Sequence, residues 1–216
     1  MTTVPANQKI YHITHVDNLP AIIAAGELRS DALMLSQGGP EAMIGMSHIK
    51  KRRLEELSIP CLGGVMVGEC VPFYFGPRSV MLYIINRGSA DIQYRGGQGP
   101  IVHLEADLRE ALRWARAAGR PWAFSLGSAA TRYTEFRNDL KDFIQVDWNA
   151  VQADDWRDSG VKERKQSEFL VKDTFPWSLV QRIGVRSHAI ATQANIALQA
   201  ADHQPLVQMQ SSWYYP

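Results

Sequence analysis

The sequence predicts an α+β fold, and three features predict it. Short runs with two-residue alternation are frequent, helical stretches with legible starts and stops are scattered among them, and the two kinds do not alternate as a doubly wound sheet requires. The 216 residues, 45% hydrophobic and 21% charged, are enough to bury one sizeable core. With no internal repeat and no low-complexity linker, residues 1–216 read as a single domain.

The first run, Lys9-Ile10-Tyr11-His12-Ile13-Thr14-His15, alternates as a half-buried strand would, with Tyr11, Ile13 and His15 on one face and His12 and Thr14 on the other. Asp17 or Asn18 can cap a short helix over residues 18–25, where Pro20 suits the first turn and Gly26 the left-handed stop. No period holds from residue 29 to 47, and Gly38-Gly39-Pro40 marks a loop. Helical spacing returns over 48–57. There Ile49, Arg53 and Leu57 share a stripe that turns Arg53 inward, while Lys50, Lys51 and Arg52 point elsewhere.

Residues 71–75 read as a strand with Pro72 near its start, and the apolar run 80–85 suits either a strand or a buried helix. A strand over 101–104, a helix over 107–118 stopped by Gly119, and a strand over 122–126 follow. Residues 127–142 and 148–165 read as surface loops with short helical turns. Strands at 167–171 and 179–185, a helix at 188–201 and a strand at 206–209 complete the pattern.

Composition excludes several classes. A net charge of +1 rules out a generally basic coat, so any nucleic-acid contact rests on a local patch. Cys61 and Cys70 are too few for a disulfide framework or a structural zinc site, which points to a reducing cytoplasm. No apolar stretch approaches the roughly 20 residues that cross a bilayer, so no membrane span is expected. Gly63-Gly64 with Gly68, and Gly96-Gly97 with Gly99, match neither phosphate-loop nor dinucleotide spacing. His12 and His15, three apart on a strand, project to opposite faces, and no HExxH helix is present, so no metal is expected.

Three patterns point to chemistry. Lys50-Lys51-Arg52-Arg53 places positive charge within about one helical turn, a density suited to phosphates, although Glu55 and Glu56 follow at once and a solvated face reads equally well. Aromatic side chains near polar loops, Tyr133, Phe136 and Trp148, either stack on bases or pack as core. Glu168 interrupts an otherwise apolar strand, Phe169-Leu170-Val171. It is either an edge-strand carboxylate facing water or a strand-end carboxylate in a cleft.

In order and spacing, three blocks resemble the DarT family of DNA ADP-ribosyltransferase toxins. They are Tyr11-His12-Ile13-Thr14-His15 with Asp17-Asn18-Leu19; Val71-Pro72-Phe73-Tyr74-Phe75-Gly76-Pro77-Arg78-Ser79 with Met81-Leu82-Tyr83; and Lys165-Gln166-Ser167-Glu168-Phe169-Leu170-Val171. Gly96-Gly97-Gln98-Gly99-Pro100 with His103-Leu104, and His48-Ile49 before the basic run, add to the likeness, which extends from about Ile10 to Trp213-Tyr214-Tyr215. The resemblance implies an ADP-ribosyltransferase fold: a split mixed β-sheet with flanking helices and an NAD-binding cleft. It further implies a toxin-type mono-ADP-ribosyltransferase that uses NAD+ as co-substrate, needs no metal, and transfers ADP-ribose to thymidine in single-stranded DNA in a sequence-dependent manner. Its partner would be a DarG-like macrodomain antitoxin that removes the modification. More distantly, His12, Tyr74 and Glu168 match the His-Tyr-Glu group that includes poly-ADP-ribose polymerases.

Carried residue by residue, the resemblance makes Glu168 the catalytic carboxylate that holds a hydroxyl of the nicotinamide ribose and orients the acceptor. His12 bonds a ribose, the backbone of Ile13 pairs with the carboxamide, Thr14 and Asn18 are nearby cofactor contacts, and Tyr74 or Phe75 stacks on nicotinamide. Arg53 stabilises the thymine anion beside the cofactor, with Glu168 or a water accepting the proton. Lys50, Lys51 and Arg52 hold neighbouring phosphates, and Tyr133 meets the DNA. Residues 30–46 and 127–138 do not align, although the latter lie where related transferases carry a substrate-recognition loop. Another base, RNA or protein as acceptor, and a non-catalytic nucleic-acid-binding module, are the competing readings.

Overall fold

Local signals build the start of the chain. Strand β1 (Lys9–His15) runs through a single turn into helix α1 (Leu19–Ala25), and Gly26 closes that helix in the left-handed conformation at φ 67°. The computed structural model describes residues 4–216. Beyond α1 come β2 (Glu27–Arg29), α2 (Asp31–Ser36), α3 (Ser47–Glu55), β3 (Ser58–Ile59), β4 (Val65–Met66) and β5 (Cys70–Tyr74). Then follow α4 (Val80–Asn86), β6 (Ile101–Asp107), α5 (Leu108–Ala117), β7 (Trp122–Ser128), β8 (Phe136–Arg137), α6 (Trp148–Gln152) and α7 (Ser159–Lys165). The last elements are β9 (Ser167–Lys172), β10 (Thr174–Pro176), β11 (Val180–Val185), α8 (His188–Leu198) and β12 (Leu206–Met209). The fold is α+β, as the sequence predicts.

Ser79 decides the ambiguous run 80–85. Its hydroxyl accepts the Leu82 N–H at 3.1 Å, an N-cap that starts a helix and turns Leu82 and Ile85 into the core. Ser30 does the same for α2, placing a helix in a segment where no period is legible. The pairs β2–β10 and β3–β4 span two or three residues each, too short to leave a pattern.

Eight strands form one sheet in the order β12-β11-β6-β1-β5-β9-β7-β8, with β11–β12 parallel and the other neighbours antiparallel. The sheet is split at its middle. β1 pairs with β6 from Lys9↔Asp107 to His15↔Ile101, and β5 pairs with β9 from Cys70↔Lys172 to Tyr74↔Glu168, but β1 and β5 meet only at Tyr11↔Tyr74. Pro72 supplies the cause. It has no N–H to donate, and its carbonyl is taken by the His12 ring at 2.9 Å instead of by the β1 backbone. The two half-sheets therefore diverge beside His12.

Strand order corrects one expectation and decides an open one. β1 is central, with Ile10, Tyr11, Ile13 and Thr14 all buried, so it is not half-buried. β9 lies between β5 and β7, so Glu168 is an interior carboxylate, 3% exposed, and not a water-facing edge residue. Phe169 and Val171 join the main apolar cluster on one face, while Leu170 joins a second cluster with Leu57 and Ile59 on the other. Burial on both faces explains the unbroken apolar run after Glu168. Among the described residues, no helix is long and apolar enough to cross a membrane.

His103 on β6 is fully buried between Trp213 and Tyr214, with ring centroids at 5.5 and 4.9 Å. Its Nε2 donates to the Pro77 carbonyl at 3.0 Å, and burial pushes its pKa down to about 4. The unfolded chain takes up this proton below about 6.5, whereas folded His103 resists until about 4, so stability falls as pH falls across that window. The linkage amounts to about 3 kcal/mol at full protonation. The melting temperature is expected to drop on acidification from pH 6.5 to 4, and His103→Gln, which keeps a donor for Pro77, to make that drop shallower. An unchanged slope in the variant would remove His103 from the account.

Candidate active site

The divergence of the half-sheets opens a cavity of about 680 Å3. His12, Ile13 and Thr14 of β1 line one side, Tyr74 and Glu168 the floor beyond the split, Lys50, Arg52 and Arg53 of α3 another side, and residues 39–46 much of the cover. The volume lies within the range of small-ligand sites.

Glu168 and Arg53 form the centre. Arg53 Nη1 and Nη2 reach Glu168 Oε1 and Oε2 at 3.2 and 3.0 Å, a bidentate pair whose side chains are 11% and 5% exposed. Burial works against the Arg53 charge, but the adjacent Glu168 carboxylate outweighs it and holds the guanidinium more firmly protonated than usual. Helical spacing places Arg53 on the inward stripe of α3, opposite β9.

A bulge in β7 sets the Glu168 backbone. Phe124 pairs with Phe169 and Ser128 with Ser167, so three residues of β7 face the single residue Glu168. The Glu168 N–H is bonded by the Ser125 hydroxyl at 2.9 Å, and the same hydroxyl donates to the Gly127 carbonyl at 2.7 Å. Ser125 is fully buried and absent from the expected site; its one signal was a polar residue inside the apolar run Trp122-Ala123-Phe124-Ser125-Leu126.

His12 presents a defined tautomer. A carbonyl only accepts, so Nδ1 carries the proton bonded to Pro72, and burial lowers the ring's pKa and keeps it neutral. Nε2 is then an acceptor. Tyr74, opposite Glu168 in the ladder, has its phenol held protonated by burial first and by the Glu168 charge second.

Other expected residues sit differently. Phe75 does not line the cavity. It is 3% exposed and packs against Phe143 and Trp148 at 6.1 and 5.2 Å, because alternation turns it away from the side that carries Tyr74. Phe75 is therefore withdrawn as a stacking residue. Asn18 lines the cavity, but its side-chain amide is occupied: Nδ2 donates to Thr14 Oγ1 at 3.0 Å and to the Ala42 carbonyl at 2.9 Å, while Oδ1 accepts the Ala42 N–H at 2.8 Å. That pairing ties the cover segment to β1.

The basic run is not one patch, since successive helical residues point about 100° apart. Arg53 is turned inward to Glu168, Lys50 lines the cavity and pairs with Asp31 at 2.6 Å, and Lys51 is 72% exposed with Glu55 at 3.9 Å. Arg52 lies at the cavity edge, 3.8 Å from Glu56. Tyr133 is 95% exposed on the loop after β7, outside the main cavity in an adjoining hollow. Phe136 is half-buried, and Trp148 is core. Among the described residues, no group of three or more His, Cys, Asp or Glu is placed to hold a metal.

Glu163 of α7, in a charged stretch with no legible pattern, anchors that loop. Its Oε1 accepts from the Ser128 N–H at 3.1 Å and Thr131 Oγ1 at 3.2 Å, and a Cβ on Gly127 would lie 3.0 Å from it.

Ser125→Ala should orphan the buried Glu168 N–H and lower unfolding free energy by about 1–3 kcal/mol, read by denaturant titration. Ser125→Thr, which keeps the hydroxyl, should recover most of the loss. Equal stability of wild type and Ser125→Ala would dismiss the bridge.

The family profile described as ssDNA thymidine ADP-ribosyltransferase, DarT, matches residues 11–215. A DNA ADP-ribosyl transferase of Thermus aquaticus is 39% identical over 98% of this chain and 90% of its own length. One of Thermus sp. (strain 2.9) is 36% identical over 99% of both. The fold matches Thermus sp. 2.9 DarT in complex with ADP-ribosylated ssDNA at a TM-score of 0.89, with 35% identity and 99% of each chain covered. It matches the same protein in complex with NAD+ at a TM-score of 0.83, with 34% identity over 99% of this chain and 100% of that one. The chain belongs to the DarT family of single-stranded-DNA thymidine ADP-ribosyltransferases.

Proposed function

We propose that this cleft transfers ADP-ribose from NAD+ to a ring nitrogen of thymidine in single-stranded DNA, with Glu168 and Arg53 as its catalytic pair. The enzyme is an NAD+-dependent DNA ADP-ribosyltransferase. The observation that carries the division of labour is the buried bidentate Arg53–Glu168 pair in the wall of the cavity, across the split from a histidine with a free acceptor nitrogen.

The residues fit NAD+ on their own chemistry. His12 Nε2 can accept from a ribose hydroxyl, and the Tyr74 ring offers an aromatic face on the cavity floor for nicotinamide. Thr14 and the backbone of Ile13 lie on the same wall. Asn18 acts through Ala42, holding the cover over the bound co-substrate.

Breaking the bond between nicotinamide and ribose leaves positive charge on the sugar, and a fixed carboxylate stabilises that charge best where water is excluded. Glu168 is such a carboxylate. One oxygen can take a ribose hydroxyl while Arg53 retains the other. The attacking thymine nitrogen loses a proton to Glu168 or to water as its bond to the sugar forms, and the Arg53 charge favours the resulting ring anion. Arg53 thus acts without giving up a proton. A single strand lets the base enter without breaking a duplex pair.

Family membership supports the remaining assignments: sequence-dependent choice of thymidine, a toxin role in the cytoplasm, and a DarG-like macrodomain antitoxin as partner. Incubation with NAD+ and defined DNA and RNA oligonucleotides, followed by mass spectrometry, should give an ADP-ribose adduct on thymidine in DNA. Adducts on another base or on RNA alone would reassign the acceptor. Glu168→Gln, which keeps shape and removes charge, should lower the transfer rate by at least about a hundredfold. Arg53→Ala should keep NAD+ affinity within a few-fold in calorimetry while transfer collapses; loss of NAD+ binding alone would move Arg53 into the co-substrate pocket.

A further inference from the structure

The loop after β7 and the end of α3 meet at the edge of the cavity through an ion cluster that the reaction does not use. Glu56 Oε2 is contacted by two guanidinium groups, Arg132 Nη2 at 2.9 Å and Arg52 Nε at 3.8 Å. Arg132 adjoins Tyr133, which is 95% exposed. Thr131, on its other side, lines both the cavity and the adjoining hollow. The loop beneath is firmly seated, with the Thr134 hydroxyl donating to the Ser128 carbonyl at 2.6 Å and Glu163 accepting from the Ser128 N–H and the Thr131 hydroxyl. Arg132 and Tyr133 therefore project from a fixed base.

We propose that Arg52 and Arg132 form a seat for one phosphodiester of the DNA strand beside the target nucleotide, and that the Glu56 carboxylate occupies this seat until DNA displaces it. The seat rests on the reading of single-stranded DNA as acceptor.

Three observations carry it. Two fixed cations converge on one anionic oxygen, an arrangement that suits a phosphate oxygen as well as a carboxylate. An exposed ring, Tyr133, follows Arg132 on the same loop, and an aromatic face with a cation is the combination that binds single strands. The Glu56 side chain is 41% exposed, and surface pairs of this kind are weak, so exchange for a phosphate costs little. Chiefly the Arg132 hydrogen bond holds the Glu56 carboxyl below its usual range, so the group to be displaced is an anion. Because one anion replaces another, both guanidinium groups stay neutralised whether DNA is present or absent. Glu56 also explains why the basic run shows little open positive charge at this point: the Arg52 charge is offset by the residue that closes the same helix.

Binding of a fluorescein-labelled thymidine-containing oligonucleotide, measured by anisotropy without NAD+ over a range of salt, tests the seat. Glu56→Gln removes the competing anion and should tighten binding about two- to fivefold. Arg132→Gln should weaken it and reduce the slope of log K against log salt by about 0.7, the value for one phosphate contact on a single strand. Circular dichroism and melting curves should show both variants folded. If Glu56 merely fastens the loop, Glu56→Gln will bind DNA no more tightly than wild type, or less tightly, and the proposal falls. A wild-type slope in folded Arg132→Gln also overturns it. Wild-type protein that neither binds nor modifies the oligonucleotide sinks the DNA reading together with the seat, whereas normal modification with no gain in Glu56→Gln sinks the seat alone.

Discussion

Two opposite charges held out of water at Arg53 and Glu168 impose the conditions that the rest of the site meets. Desolvation of such a pair costs several kcal/mol per ion unless geometry and additional hydrogen bonds offset it. Two parallel N–H to oxygen contacts supply the geometry. They also require α3 to lie squarely over β9, which the apolar contacts of Leu57, Ile59 and Leu170 beneath it secure. The Glu168 backbone must be equally fixed, and the bulge in β7 would have left its N–H bare had Ser125 not been there. A polar residue, a strand irregularity and a helix position are thus consequences of one buried pair.

The second constraint is the split in the sheet. A continuous ladder between β1 and β5 would fill the space that the cavity occupies. Pro72 prevents it by lacking a donor, and His12 uses the freed carbonyl to fix its own tautomer. One proline thereby opens the cleft and prepares the acceptor nitrogen that faces into it. The cover is attached to the same strand, since Asn18 pairs with both backbone groups of Ala42 as a neighbouring strand would. Asp31 and Lys50 tie α2 to α3 on the far side.

How much of this the sequence discloses depends on whether the cause is local. The α1 stop at Gly26, the inward stripe of α3 and the strand character of residues 167–171 follow from spacing alone and are present, whereas neither Asp17 nor Asn18 caps α1, because the Asn18 amide is bonded to Thr14 and Ala42 instead. Whether Glu168 is wet or buried depends on strand order, which a single strand does not encode; the place of β9 between β5 and β7 decides it. Tyr74 and Phe75 are adjacent aromatics that resemblance could not separate; strand alternation separates them once Tyr74 is known to pair with Glu168. Glu163 carries no signal and Glu56 reads only as part of a solvated face, because a carboxylate in a charged stretch looks solvated until its partners arrive from residues 128–134.

The distribution of charge separates the two halves of the reaction. On the co-substrate side the ion pair is buried and bidentate, so its strength is set by protein geometry and barely by ionic strength. At the mouth, Glu56 and Arg132 are exposed and Arg52 half-buried, all weakly paired and screened by salt. A centre that must stabilise charge at the instant of bond breaking gains from the first kind of environment, because its dipoles need not reorganise. A surface that must accept, shift and release a polyanion gains from the second, because contacts that are individually weak exchange readily for phosphates. The net charge of +1 is consistent with this arrangement, since the cations proposed to meet DNA stand already paired with acids and need no excess of Lys and Arg. The loop of residues 128–135 combines both features, a base fixed by Glu163 and side chains, Arg132 and Tyr133, that stay exposed at the mouth.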